Sequence, residues 1–113
     1  ADMVRNMALE EEVVRQFESF GMPTTGVEAA SGSSDVGNVS YRCPAIQPLL
    51  AITDEDYALH TAAFRDATAL PQAEQAMEKG ACILALMALK IFNDEAFRNR
   101  VYAEFQEQVE KRR

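Results

Sequence analysis

The sequence has 113 residues, which is enough for one domain and too few for two. Hydrophobic residues make up 48% of the chain, a share that argues against disorder. The formal net charge is −7, so the chain repels phosphate backbones and a nucleic-acid partner is not expected.

The first predicted element is a helix that begins near Asp2, a possible N-cap, and ends at Gly21. Apolar residues recur at helical spacing between residues 3 and 20, and the glutamates at residues 10–12 are expected on its solvent side. Gly21 suits a left-handed cap, and Pro23 follows it as a helix stop.

The middle of the chain predicts strands and a loop of small residues. Residues 27–30 indicate a short strand, residues 31–35 a loop, and Asp35 the cap of a short helix. Residues 45–52 form an apolar run that favours a strand, near a sheet edge because it contains Pro48.

Two helices are predicted in the last third. One begins at Pro71 and carries a broad apolar face, made of Ala73, Ala76, Met77, Gly80, Ala81, Ile83, Leu84, Met87, Ala88 and Ile91. The other begins at Asn93 or Asp94, and its apolar face consists of Phe97, Val101, Phe105 and Val109.

These elements predict an α/β fold, as a single unit over residues 1–113, in the order helix-strand-loop-strand-helix-helix. The one or two predicted strands would form only part of a sheet, since a lone strand needs neighbouring strands to be stable. The chain also begins with Ala and enters a helix directly. We therefore expect a segment cut from a longer protein.

Cysteine usage and hydropathy bear on location. Cys43 and Cys82 match no metal or redox spacing. Cys82 lies in an apolar helical run, where we expect a buried free thiol, as in a reducing compartment. No apolar run is long enough to cross a bilayer, so the expected location is cytoplasmic, without membrane contact.

His60 is the only histidine and the main candidate for chemistry. A lone histidine is most often a surface residue or a structural residue with satisfied hydrogen bonds. A metal site would need partners, because it takes three or four protein ligands. Asp56 lies four positions earlier and would share a helix face with His60, which leaves a small two-residue metal site as an alternative. No nucleophile-elbow or phosphate-loop pattern is present.

Residues 31–40 read Ser-Gly-Ser-Ser-Asp-Val-Gly-Asn-Val-Ser, and the predicted strand, Leu59-His60-Thr61 and a long alanine-rich helix follow. This order resembles the aminoacylase and carboxypeptidase-G-type dinuclear metallopeptidases. Within them it is most similar to the branch of aminobenzoyl-glutamate hydrolases and related dipeptide amidohydrolases. The resemblance covers nearly the whole chain and corresponds to the C-terminal segment of the family's catalytic domain.

The resemblance implies two divalent metals, zinc or manganese, and a small amide or dipeptide substrate. His60 matches the family's late metal-binding histidine. Gly32, Ser33, Ser34 and Asp35 match the segment beside the substrate and metals, where Asp35 would orient the loop or support a ligand. The resemblance assigns no residues of this chain to the family's early His-x-Asp pair or to its Glu-Glu pair, so those ligands are missing. The parent protein is thus expected to be a hydrolase, and this chain alone to be inactive.

A different class of function also fits the sequence. The apolar faces of the last two helices suit a non-enzymatic interaction module that pairs with a partner or with a second copy. Self-association is expected in either case, because an incomplete sheet leaves apolar surface uncovered.

Overall fold

The computed structural model describes residues 2–25 and 34–112. They form five α-helices and no β-strand: α1 (Met7–Ser19), α2 (Val36–Val39), α3 (Ala62–Ala67), α4 (Pro71–Asn93) and α5 (Glu95–Glu110). The α/β prediction is therefore wrong for this part of the chain, which is all-helical. The strand predicted at residues 27–30 lies outside the described residues.

The core lies where α1, α4 and α5 meet, and each of these helices packs against the other two. Each contributes residues from one face, at the three- and four-residue spacings expected of packed helices. The buried apolar cluster consists of Ala8, Leu9, Val13, Ile83, Met87, Phe97 and Val101. Three of the predicted elements are thus confirmed as the main helices.

The first helix is capped by Asn6, so the predicted cap at Asp2 is wrong. The Asn6 Oδ1 atom accepts a hydrogen bond from the Leu9 backbone N–H at 3.1 Å. Its Nδ2 atom donates to the Val101 carbonyl of α5 at 2.8 Å, and the residue is 1% exposed. One side chain therefore caps α1 and joins it to α5, which decides where the helix begins.

The expectation that the glutamates of α1 all face solvent is wrong for Glu12, which is buried. Its carboxylate pairs with Arg15 at 3.2 Å and accepts a hydrogen bond from the Gln16 amide at 2.8 Å. Both partners lie within one turn of the same helix, so the charge is compensated locally.

The predicted stop at Gly21 is confirmed. Gly21 has a φ of 69°, and its N–H donates to the Glu18 carbonyl at 2.9 Å. The next N–H, of Met22, donates to the Phe17 carbonyl at 3.0 Å. This pair of bonds is a Schellman motif, and Phe17 and Met22 both pack against the core, as the motif requires.

The starts of the last two helices are also confirmed. Pro71 occupies the first turn of α4. Asp94 caps α5, accepting a hydrogen bond from the Phe97 N–H at 2.9 Å, and pairs with Lys90 of α4 at 2.7 Å. The Lys90 ammonium also lies 5.6 Å from the centre of the Phe97 ring.

Residues 44–53 have no regular secondary structure, so the strand predicted at 45–52 is wrong. Pro44 and Pro48 remove two backbone donors, and no described segment pairs with this one. The run instead uses its apolar side chains against helices. Ile46 packs on the core cluster, and Leu50 lies so close to Gly80 that a Cβ there would meet its Cδ2 atom at 3.2 Å.

The short helix α3 was not predicted. Its local signal is Thr61, whose Oγ1 atom accepts a hydrogen bond from the Phe64 N–H at 3.2 Å. Threonine is a favoured N-cap, but a helix of six residues is too short to show a hydrophobic period.

Only one side of the apolar face predicted for α4 is packed. Ala73, Ala76, Ile83 and Met87 are buried, whereas Met77, Leu84 and Phe92 are exposed. Cys82 is exposed as well, so its predicted burial is wrong. Among the described residues, no helix combines the length and hydropathy needed to cross a membrane.

Replacing the cap that joins α1 to α5 is expected to destabilise the fold. Asn6→Ala removes the cap and leaves the buried Val101 carbonyl without its donor, so the free energy of unfolding should fall by roughly 2–4 kcal/mol. Urea denaturation measures the change. The control is Asn99→Ala, at an exposed position of α5, which should change stability by about 0.5 kcal/mol or less. Equal effects of the two substitutions would contradict the assigned role.

The ion pair at the α4–α5 junction predicts a pH dependence. The Lys90 ammonium lowers the pKa of Asp94 from its usual value near 3.8, and the Phe97 N–H lowers it further by a smaller amount. The stabilisation is therefore fully present above that value and is lost as the pH falls through the lowered pKa of the folded state.

Asp94→Asn keeps a capping oxygen but removes the charge. Wild type should melt at a higher temperature than this variant at neutral pH, and the difference should vanish in acid, as followed by circular dichroism. Glu18→Gln, at an exposed residue of α1 that caps no helix, is the control. A difference that persists in strong acid would rule out titration of Asp94 as its cause.

Candidate functional site

His60 lies at the end of the irregular segment that joins α2 to α3. The residue is exposed. Its φ is 64°, and among the described non-glycine residues it is the one with a positive φ. The left-handed conformation costs about 1–2 kcal/mol for an L-residue, although histidine is one of the types that adopt it more often. The backbone at the predicted metal ligand is thus in a special conformation.

Thr61 holds this turn from the following position. Its hydroxyl donates to the Ala58 carbonyl at 2.7 Å and accepts from the Phe64 N–H at 3.2 Å. The side chain therefore joins the residues before His60 to the first turn of α3. His60 is forced to connect the two with a positive φ, which directs its imidazole into solvent.

Ser34 and Asp35 are the described members of the predicted substrate segment, whereas Gly32 and Ser33 lie outside the described residues. Both described residues are exposed and stand at the start of α2. The Ser34 hydroxyl accepts a hydrogen bond from the Val36 N–H at 3.2 Å. Asp35 occupies the predicted N-cap position of α2, but its side chain makes no capping hydrogen bond.

The end of α2 is fixed to the N-terminal part of the chain. The buried Ser40 hydroxyl accepts from the Val4 N–H at 2.8 Å and donates to the Gly37 carbonyl at 2.6 Å. The Tyr41 hydroxyl donates to Asp2 at 2.8 Å. The segment that contains Asp35 is thus held on the helical core, beside the start of α1.

Next to this contact, charged side chains from near the two ends of the chain meet. Asp2 is also paired with Arg112, so its carboxylate receives hydrogen bonds from a phenol and a guanidinium. Both hydrogen bonds lower the pKa of Asp2, and the one from Tyr41 has the larger effect. This arrangement joins Asp2 near the start of the chain to Tyr41 and to Arg112 near its end.

The described residues do not hold a metal by themselves. In this part of the chain, no three histidine, cysteine, aspartate or glutamate side chains lie close enough together to bind one ion. Asp56 and His60 are both exposed, and the backbone between them is not helical, so the predicted sharing of a helix face is wrong. The predicted metal ligand His60 therefore has no second candidate ligand paired with it in this part of the chain.

Two shallow depressions of the surface lie away from these residues. One runs along α5 beside Tyr102, and the other lies between α1 and Arg100. Neither contains His60 or Asp35.

No protein-family model matches the chain, and a search of curated proteins finds no significant match. The resemblance to amidohydrolases is therefore not supported by these comparisons and stays a prediction from the sequence.

The left-handed backbone at residue 60 predicts which substitutions are tolerated. His60→Gly should leave the free energy of unfolding within about 1 kcal/mol of wild type, because glycine adopts positive φ without strain. His60→Val should lower it by about 1 kcal/mol or more, since a β-branched residue is disfavoured there. Chemical denaturation measures both.

Leu59→Val is the matched control, since Leu59 is the exposed neighbour and its φ is not positive. It should have little effect. Equal stability of His60→Val and Leu59→Val would mean that the turn is not held in solution.

Proposed function

We propose that this chain is the C-terminal segment of the catalytic domain of a metal-dependent amidohydrolase. The enzyme hydrolyses an amide bond next to a carboxylate-bearing amino acid, in a small amide or dipeptide substrate. The contribution of this chain is one metal ligand, the imidazole of His60, and part of the substrate-facing surface around Ser34 and Asp35. Alone, the chain is not an enzyme.

The observation that carries the proposal is the state of His60. The imidazole is exposed and makes no hydrogen bond or ion pair with the described residues, while the backbone beneath it is held in an unfavourable conformation. Strained residues of this kind occur preferentially at functional sites.

The cofactor proposed is zinc or manganese, held mostly by residues that the described part of this chain does not contain. Imidazole suits zinc, and a ligand set richer in carboxylates suits manganese. Because one imidazole cannot hold either ion in competition with water, the remaining ligands must come from elsewhere. Their arrangement decides which metal binds.

Asp35 supports the assignment of the substrate segment. Its carboxylate is exposed and is not used as a helix cap, and the Ser34 hydroxyl lies beside it. The backbone that carries both is anchored through Ser40. An anchored backbone with an uncommitted carboxylate suits a segment that must approach a substrate or a metal ligand in a defined position.

The first test concerns the chain alone. Incubated with zinc or manganese and with N-acetyl amino acids, dipeptides and aminobenzoyl-glutamate, the purified chain should hydrolyse none of them. Hydrolysis by the purified chain would overturn the proposal that essential ligands are missing.

The second test uses the protein encoded by the complete gene. There His60→Ala should reduce bound metal, measured by atomic emission, and lower the rate of amide hydrolysis by about a hundredfold or more. Asp56→Ala is the control, since it removes the nearby carboxylate of the two-residue alternative. A larger loss of metal from Asp56→Ala, or no His-x-Asp and Glu-Glu pairs upstream of residue 1, would refute the amidohydrolase proposal.

A further inference from the structure

The short helix α2 is not held by extensive packing against another helix. In the described part of the chain, extensive packing between helices is confined to α1, α4 and α5. Of the four residues of α2, Gly37 is the one that is buried. A helix of one turn is not stable in isolation, because forming the first turn is unfavourable. The position of α2 must therefore come from contacts made by the residues around it.

Two hydrogen bonds join the end of α2 to the residues before α1. The Val4 N–H donates to the Ser40 hydroxyl at 2.8 Å, and both residues are buried. The Tyr41 hydroxyl donates to the Asp2 carboxylate at 2.8 Å, and this bond is exposed to solvent. The first bond is thus protected from water, whereas water can compete with the second.

The exposed bond depends in turn on the end of α5. The guanidinium of Arg112, which lies just beyond the last residue of α5, donates to the second oxygen of the Asp2 carboxylate. The Asp2 side chain is 73% exposed, so without a partner it would be free to change its rotamer. The guanidinium therefore holds the carboxylate in the orientation that accepts the Tyr41 hydroxyl. We call these two bonds the Arg112–Asp2–Tyr41 link.

The segment around α2 contributes little hydrophobic stabilisation. Among residues 34–43 the buried ones are Gly37 and Ser40, and neither has an apolar side chain. The chain returns to the core soon afterwards, because Ile46 packs against the core cluster. Few buried apolar contacts and exposed hydrogen bonds are the properties of segments that open locally while the rest of a protein stays folded.

We propose that residues 34–43 open and close as a unit while the core of α1, α4 and α5 stays folded, and that the Arg112–Asp2–Tyr41 link holds this unit closed. The end of α5 thereby controls the position of the candidate substrate segment, which the same unit carries. The inference goes beyond the metal-site proposal and does not depend on it, since it concerns only contacts within this chain.

Hydrogen exchange of the full chain, followed amide by amide by NMR, tests the unit. In wild type the amide of Ser40, which donates to the Val36 carbonyl of α2, should exchange faster than that of Ile83 in the core. Arg112→Gln should speed exchange at Ser40 roughly twofold to fivefold, since exposed ion pairs are weak, and leave Ile83 unchanged. Equal rates at the two amides in wild type, or equal acceleration of both by the substitution, would overturn the proposal.

Lys111→Gln is the matched control, because it removes the same charge from the neighbouring position. The Lys111 ammonium pairs with Glu107 within α5 at 2.6 Å and takes no part in the link. This substitution should leave exchange at Ser40 unchanged. An effect as large as that of Arg112→Gln would mean that the loss of charge, and not the loss of the link, opens the unit.

Tyr41→Phe tests whether Arg112 acts through Asp2. The substitution removes the hydroxyl and keeps the ring, so it should also speed exchange at Ser40. Once the hydroxyl is gone, adding Arg112→Gln should produce no further increase, because both substitutions break the same link. Accelerations that multiply in the double variant would show that Arg112 acts by another route, and would contradict the link.

Discussion

The fold depends on the side chain of Asn6, which performs two tasks that elsewhere need separate residues. Its oxygen caps the start of the first helix, and its amide donates to a carbonyl of the last one. Because it is buried, neither bond can be replaced by water. With α1 fixed to α5, the neighbouring Val4 N–H reaches the Ser40 hydroxyl, which in turn holds α2 and the segment of Ser34 and Asp35. The position of the candidate substrate segment thus follows from a contact between two helices far from it.

The main helices could be predicted from the sequence because their ends carry local chemistry. Gly21 and Asp94 satisfy backbone groups within one turn, and Pro71 removes an N–H that would have no partner in the helix. Such signals do not depend on the rest of the fold. The strand at residues 45–52 could not be judged in this way. A strand is stabilised by neighbours, so the same apolar run packs on α4 when no strand lies beside it. The cap at Asn6 was missed for a related reason, since its second partner, Val101, is distant in sequence.

The candidate site was predictable only in part. The sequence indicates His60 as the one imidazole, but nothing in its neighbours predicts a left-handed backbone, which comes from the two bonds of Thr61. Asp35 was expected to cap α2, and the adjacent Ser34 bonds the helix start instead. For α4, periodicity predicted a broad apolar face without showing that two neighbours cover only half of it. How much of a helix is covered depends on the curvature and spacing of its partners, which a hydrophobic pattern does not record.

The bond between Asn6 and Val101 also has a consequence for synthesis, because it spans 95 positions of the sequence. A ribosome adds about 5–20 residues per second, so roughly 5–20 s separate the appearance of these two residues. The helices α4 and α5 are neighbours in sequence and can pair as soon as both emerge. The apolar side of α1 is made first and acquires its partners last. During that interval Leu9 and Val13 are open to chaperones or to other nascent chains.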